Sequence, residues 1–346
     1  MNNETMNKIP NPKIPSSNFK HPTSNFQHPT LHFELPMPLL TVEHLKKEYP
    51  VQPRSFFRRS SDVVRPIADV SFEVGAGEIV AIVGDAASGK TILARLLTLL
   101  IRPNKGTVIF DNQNLTKMND GALRPVRRRL QLLFSDPRTA LNPRSLVSDM
   151  MLEPMQIQNL GTPNEQMTTV KNALKRVGLN ALLLDHKMTD LSAGERQRIA
   201  LARVLTLHPK LIICDDPSRA MPPGAAESFF RLMSDLRRRE GVSFIFLVRE
   251  TQPAAQFADR LGVLYRGHLV EMGKTDSVIG SPQHPYTRQW FAQSSAPPAA
   301  TDVSLKGCQF HPDCPNVMPR CGERVPAMFT TPASQMAQCF LYEGNS

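Results

Sequence analysis

Flat aromatic rings are scarce: the chain of 346 residues has one Trp and four Tyr, and aromatics including Phe make up 6 %. Such a chain has little on which to stack bases. Its formal net charge of +10, from 41 Lys and Arg against 31 Asp and Glu, therefore reads as a solvated basic surface, or one facing anionic lipid or an acidic partner, and no nucleic-acid partner is expected. Cysteine is also sparse, with five residues, which excludes a disulfide framework for the whole chain. No apolar run reaches the roughly 18 residues that a membrane-spanning helix needs. The first residues, MNNETMNKIPNPKIPSSNF, hold no apolar stretch behind a basic one, so no secretory signal is expected and the chain is read as cytoplasmic.

Hydrophobic residues make up 41 % and charged residues 21 %, an ordinary globular composition. Proline marks the joints. Ten of the 30 prolines fall in residues 1–66 and nine in 282–332, so both ends are expected to be irregular around a compact middle. SNFKHPT (17–23) is followed at once by SNFQHPT (24–30), a repeat too short and polar to bury anything, and residues 1–36 are read as a disordered leader. The runs IVAIVG (79–84), LIIC (211–214) and FIFLV (244–248) read as buried strands, whereas 91–101, 170–184 and 226–239 read as helices. Apolar strands alternating with helices predict an α/β fold with a mostly parallel sheet covered on both faces.

The first strand runs into Gly84, Asp85, Ala86, Ala87, Ser88, Gly89, Lys90 and Thr91, then into the apolar helix 91–101, and residues 84–91 with Ile92 are the expected nucleotide-binding residues. This is G-x-x-x-x-G-K-T between strand and helix, the setting in which the motif means a phosphate loop. Glycines let backbone N–H groups close around phosphates, and the helix N-terminus adds partial positive charge. Lys90 is placed to reach the β- and γ-phosphates, and the Thr91 hydroxyl to ligate Mg²⁺. The strand ending in the paired carboxylates Asp215 and Asp216 supplies Asp215 to hold the magnesium, usually through water. The residues point to a chain that binds a nucleoside triphosphate.

Between these elements lies Leu191-Ser192-Ala193-Gly194-Glu195-Arg196-Gln197-Arg198, continuing to Ala202-Arg203. It resembles the LSGGQ-x-QR-x-x-x-AR signature of ATP-binding-cassette proteins. Asp136-Pro137 with Leu141-Asn142-Pro143-Arg144, the run His284-Pro285-Tyr286-Thr287, and a tail carrying Cys308, Cys314, Cys321 and Cys339 narrow the likeness. Together they resemble the ATPase subunits of bacterial peptide importers, the oligopeptide/dipeptide and Sap antimicrobial-peptide group, over about residues 37–340. The resemblance implies a RecA-like core at 37–293 with an inserted helical subdomain near 136–200, and a small irregular extension at 294–346. It implies ATP and Mg as ligands, with Thr91 and Asp215 at the metal. It also implies a head-to-tail pair with a second cassette, two transmembrane permease subunits, and indirectly a periplasmic binding protein, at the cytoplasmic face of the inner membrane. Tyr49 stands where such cassettes stack an aromatic ring on adenine. Ser192, Ala193, Gly194 and Glu195 stand where the signature meets the partner's ATP.

Within the signature, Ala193 and Glu195 replace a glycine and the glutamine, and Glu195 adds a carboxylate near the partner's phosphate that is expected to weaken closure modestly. Four further positions depart from the family pattern. Ser135 replaces the glutamine after Phe134, Asp216 the catalytic glutamate, and Arg249 the histidine that senses the γ-phosphate, while Pro222 stands in place of a crossing aspartate. Serine lacks the glutamine's reach, and Asp216 withdraws its carboxylate by one methylene. Arginine can bind a phosphate oxygen but cannot act as a neutral acceptor. The site on this chain's own Lys90 is thus expected to bind ATP and hydrolyse it poorly, within an asymmetric heterodimer. An ordinary active subunit and a non-transport regulatory ATPase are the alternatives. The tail spacing Cys308-x5-Cys314-x6-Cys321-x17-Cys339 leaves zinc and free thiols open, and the resemblance adds a [4Fe–4S] cluster.

Overall fold

The computed structural model describes residues 37–50, 63–136, 142, 144–252, 254–292 and 306–344. The N-terminal repeat, Pro137, Leu141 and Pro143 lie outside the described residues.

The apolar runs form the central strands. Ile79–Val83 (β3), Leu211–Asp215 (β7) and Ser243–Val248 (β8) are buried at every residue, as strands covered on both faces must be. Side chains alternate along β3. Ile79, Ala81 and Val83 join a cluster with Phe229, Phe230 and Met233 of the helix Pro223–Glu240, whereas Val80 and Ile82 join one with Leu93, Leu96 and Leu97 of the helix Lys90–Leu97. Period-two alternation thus sends one strand into two cores.

With Leu130–Leu133 (β6) on one side and Arg260–Tyr265 (β9) on the other, these strands pair in parallel in the order β9-β3-β8-β7-β6. The remainder of the sheet is not parallel. Leu40–Pro50 (β1), Val63–Val74 (β2), Lys105–Phe110 (β4) and Gln113–Asn114 (β5) pair antiparallel among themselves, and His268–Lys274 (β10) runs antiparallel to β9. A single parallel bridge, His268 to Asp69, joins the two portions. Short strands Phe329–Thr330 and Met336–Ala337 bring the tail onto β10. The mostly parallel expectation thus describes the phosphate-bearing core, and the antiparallel strands extend beyond it. Their half-polar runs carry weaker signals than a continuous apolar strand.

Helices Val147–Ile157, Pro163–Arg176 and Ala193–Leu205 fall between β6 and β7, within the stretch read as the inserted subdomain. The helix expected at 170–184 starts earlier and stops earlier. Thr162 caps it in a reciprocal box with Glu165, and Pro163 fits its first turn. The chain then breaks into a 3₁₀ turn at Ala181–Asp185. The helix expected at 91–101 ends at Leu97, just before Leu99 takes φ 50°.

Candidate nucleotide-binding site

The loop after β3 is shaped by what presses on it. A Cβ at Gly84 would stand 2.3 Å from the Leu264 carbonyl oxygen, and one at Gly89, where φ is +103°, 2.2 Å from that of Pro66. Only glycine allows the loop this close to its neighbours. The Gly267 N–H donates to the Ser88 carbonyl at 3.0 Å, so the turn between β9 and β10 forms one wall. The sequence reading missed Leu264 and Gly267, because nothing local links residues some 180 positions downstream to a glycine-rich turn.

Lys90 is buried. Its Nζ donates to the carbonyls of Gly84 at 2.7 Å and Asp85 at 2.6 Å, and to Ser88 Oγ at 3.1 Å. Burial lowers its pKa to about 8, against the upward pull of Asp85 and Asp216 and with a further downward push from Arg249. An incoming phosphate supplies the missing anion. Thr91 Oγ1 donates to Asp215 Oδ1 at 3.1 Å, bringing together the hydroxyl and carboxylate that hard, oxygen-seeking Mg²⁺ prefers. This donor set fits that ion. Burial raises the pKa of Asp215, opposed by the Thr91 hydrogen bond and Lys90.

Asp216 adopts φ 48°, and its N–H donates to the Leu247 carbonyl at 2.8 Å. Asp is among the few residues that tolerate this left-handed conformation. Its Oδ2 lies 3.9 Å from Arg249 Nε, and the arginine side chain is about half exposed. Burial pushes the Asp216 pKa up, with Lys90 and then Arg249 opposing. The structure thus brings Lys90, Thr91, Asp215, Asp216 and Arg249 to one locus. Ser135 follows Phe134, whose carbonyl accepts a hydrogen bond from buried Gln197 Nε2 at 3.0 Å. Gln197, which the sequence marks only as part of the signature run, ties the signature helix to the start of this loop. Tyr49 is 39 % exposed and carries the Lys47 ammonium 5.0 Å from its ring centre. Its strand pairs with β2, Tyr49 opposite Val64, two residues before the Pro66 that abuts Gly89.

The signature is elsewhere. Ser192 caps the helix Ala193–Leu205, and among the described residues no hydrogen bond or ion pair links residues 192–195 to residues 84–91. A cavity of about 570 Å³ beside His208, Lys210, Gly241 and Ser243 opens at the leading ends of β7 and β8. The phosphate loop follows the trailing end of β3, where open α/β sheets bind ligands.

Cys308, Cys314, Cys321 and Cys339 are all free and line one enclosure of about 10 Å³, with room for little more than a water. Burial raises the Cys308 thiol to about 11. Four thiols are the right donors for zinc or an iron–sulfur cluster. However, among the described residues no group of three or more His, Cys, Asp or Glu is arranged to hold a metal ion. The sulfurs are gathered without being a formed ligand set.

A family model described as ABC transporter matches residues 67–219, and one described as the C-terminal region of oligopeptide/dipeptide transporters matches residues 270–299. A probable peptide ABC transporter ATP-binding protein of Sinorhizobium fredii is 33 % identical over 315 residues, 87 % of this chain and 89 % of that protein. The oligopeptide transport ATP-binding protein AppF of Bacillus subtilis is 31 % identical over 323 residues, 88 % of this chain and 97 % of that protein. Among solved structures, the cassette cbiO1 of Clostridium perfringens aligns with a TM-score of 0.61 at 24 % identity, over 70 % of this chain and 91 % of that one. The ATP-binding cassette MJ0796, in its dimer with ADP and phosphate, aligns with a TM-score of 0.60 at 24 % identity, over 68 % and 98 %. The cassette fold and this extent of similarity to named relatives agree with the phosphate loop and its carboxylates: the chain belongs to the family of peptide ABC transporter ATP-binding proteins.

Proposed function

We propose that this chain is one of two unlike cassettes powering peptide import, and that it holds ATP on residues 84–91 while its mate does most of the hydrolysis. The observation that carries this reading is the Asp216–Arg249 pair. The acid after Asp215 is short by a methylene, and a permanently charged guanidinium 3.9 Å away stands where the family has an imidazole. A base must reach the proton it takes, directly or through one water. Losing a positioned base lowers the rate by about 10²–10⁴, roughly 3–5 kcal/mol of barrier. Ser135 compounds the loss, while Lys90, Thr91 and Asp215 keep the binding chemistry.

Adenine stacks on Tyr49, Mg²⁺ is held by Thr91 and Asp215, and residues 192–195 face the ATP of the partner cassette. No described helix is long and apolar enough to cross a membrane, so in this reading the chain docks on two permease subunits at the cytoplasmic face of the inner membrane. The relatives named for peptide transport support the substrate class. ATPase measurement on the reconstituted complex tests the asymmetry. With Lys90→Ala in this chain most turnover remains, and with the matching lysine of the partner replaced it collapses; the reverse pattern overturns the reading.

The cysteine enclosure carries a second reading, that the tail holds a [4Fe–4S] cluster. It is supported by four free thiols meeting at one enclosure. A cluster presents a separate iron to each cysteine, so it does not need the close set that a single ion demands, but loading requires the enclosure to widen. Iron and acid-labile sulfide in anaerobically purified protein test it, and absence of both overturns it.

A further inference from the structure

The helix Pro285–Ala292 reaches two walls of the nucleotide site at once. Its start is fixed: the carboxylate of buried Glu271 accepts the N–H groups of Gln283 and His284, both at 2.8 Å, and Arg288 Nε donates to the Pro282 carbonyl at 2.9 Å. Tyr286 and Trp290 stand four residues apart and so share one face, with ring centres 6.0 Å apart. Tyr286 is fully buried, its ring centre 4.1 Å from that of Tyr265. Tyr265 lies two residues before the Gly267 that bonds Ser88 in the phosphate loop. One turn further along the helix, Trp290 Nε1 donates to Thr251 Oγ1 at 3.4 Å.

Thr251 stands two residues after Arg249. From Arg249 to Gln252 the backbone is neither strand nor helix, so no ladder of hydrogen bonds fixes where the guanidinium stands. The ion pair with Asp216, at 3.9 Å and with the arginine half exposed, is too weak to fix it. The Thr251 carbonyl accepts the Ala255 N–H at 2.9 Å, which closes the turn, and the indole holds its hydroxyl. A part-buried indole N–H needs a partner, and here that need ties a helix far along the chain to the turn beside the phosphates.

We propose that Trp290 is a positioning residue for nucleotide recognition: by holding Thr251 it sets the Arg249 guanidinium where the third phosphate of a bound triphosphate lands. The inference rests on the ATP-binding reading above and adds to it a source of discrimination between ATP and ADP, outside the phosphate loop and its carboxylates.

Two substitutions cut the same bond from its two ends. Trp290→Phe keeps an aromatic ring against Tyr286 and removes the donor, and Thr251→Val keeps the shape and removes the acceptor. In calorimetric titration of the full chain with Mg²⁺, each weakens ATP binding by about fivefold, the share of one neutral hydrogen bond, and leaves ADP binding unchanged. Thr251→Ser restores the ATP affinity. If both nucleotides weaken together, or neither does, the positioning role is wrong. The chain has one tryptophan, so its emission reports the contact in the unaltered protein as well: MgATP shifts it and MgADP does not. Emission that stays still while calorimetry shows ATP bound overturns the role of Trp290 and leaves the ATP-binding reading standing. If the unaltered chain binds no ATP, that reading fails and the inference fails with it.

Discussion

At the scale of single residues, Lys90 is a buried cation whose compensation is meant to arrive from outside. Its pKa of about 8 lies below the ordinary 10.5, so between those values the unfolded chain binds a proton that the folded one does not. Stability contributed through this group therefore rises with pH across that window, and the buried charge is a liability below it. In urea denaturation without nucleotide, the unfolding free energy of the native protein minus that of Lys90→Met should increase by about 3 kcal/mol between pH 7 and 10.5. Saturating MgATP should abolish the trend, because phosphate charge restores the proton. A difference flat with pH would mean that the ammonium is not desolvated. The three residues that depart from the family pattern invite the opposite kind of test. If the proposed impairment holds, Ser135→Gln, Asp216→Glu and Arg249→His together should raise single-turnover hydrolysis at this chain's own site by about 10²–10⁴. An unchanged rate would mean that these residues do not limit hydrolysis there.

At the scale of elements, the phosphate loop is a fit between pieces distant in sequence. Gly89, at φ +103°, lies against the Pro66 carbonyl, and Gly84 against that of Leu264. Gly89→Ala should destabilise the protein by about 1–3 kcal/mol from backbone strain and more from the contact, seen as a lower urea midpoint at unchanged slope, with nucleotide binding lost. The same loop shows what could be read in advance. Residues 84–91, the strand ending at Asp215 and the signature are contiguous, each with its own spacing, and each lies on the element expected of it. Beyond them the fold depends on pairings across long stretches of chain. Glu271 is fully buried and accepts the N–H groups of Gln283 and His284, both at 2.8 Å. In the sequence it is one acid in a strand. Its role as the anchor of the helix Pro285–Ala292 exists only once β10 is formed. Glu271→Ala leaves the buried His284 N–H and the part-buried Gln283 N–H without their partner and should destabilise by about 1–3 kcal/mol for the buried donor and less for the other, with proteolysis opening first near residues 281–284. Glu271→Gln should recover part of the loss.

At the scale of the whole described unit, the proline- and cysteine-rich tail, which composition marks as irregular, is built into the cassette. Its strand Met336–Ala337 extends β10, and Gln335 Nε2 donates to the Ser277 carbonyl at 2.9 Å. Phe310 meets Tyr265 edge-on at 5.8 Å and Tyr286 at 5.5 Å. Tyr265 ends β9, two residues before the Gly267 that bonds the phosphate loop, so the tail's main apolar anchor packs behind the wall of the nucleotide site. Tail and cassette should then unfold together. Phe310 is 3 % exposed, and Phe310→Ala should remove about 3–5 kcal/mol, a large share of the 5–15 kcal/mol typical of a domain. Scanning calorimetry should show one transition moved to lower temperature, and alkylation of Cys308, Cys314 and Cys339, slow in the native protein because burial raises their pKa values, should accelerate. A separate low-temperature transition, with the main one unmoved, would mean that the tail is an independent module and that its packing against Tyr265 does not support the site.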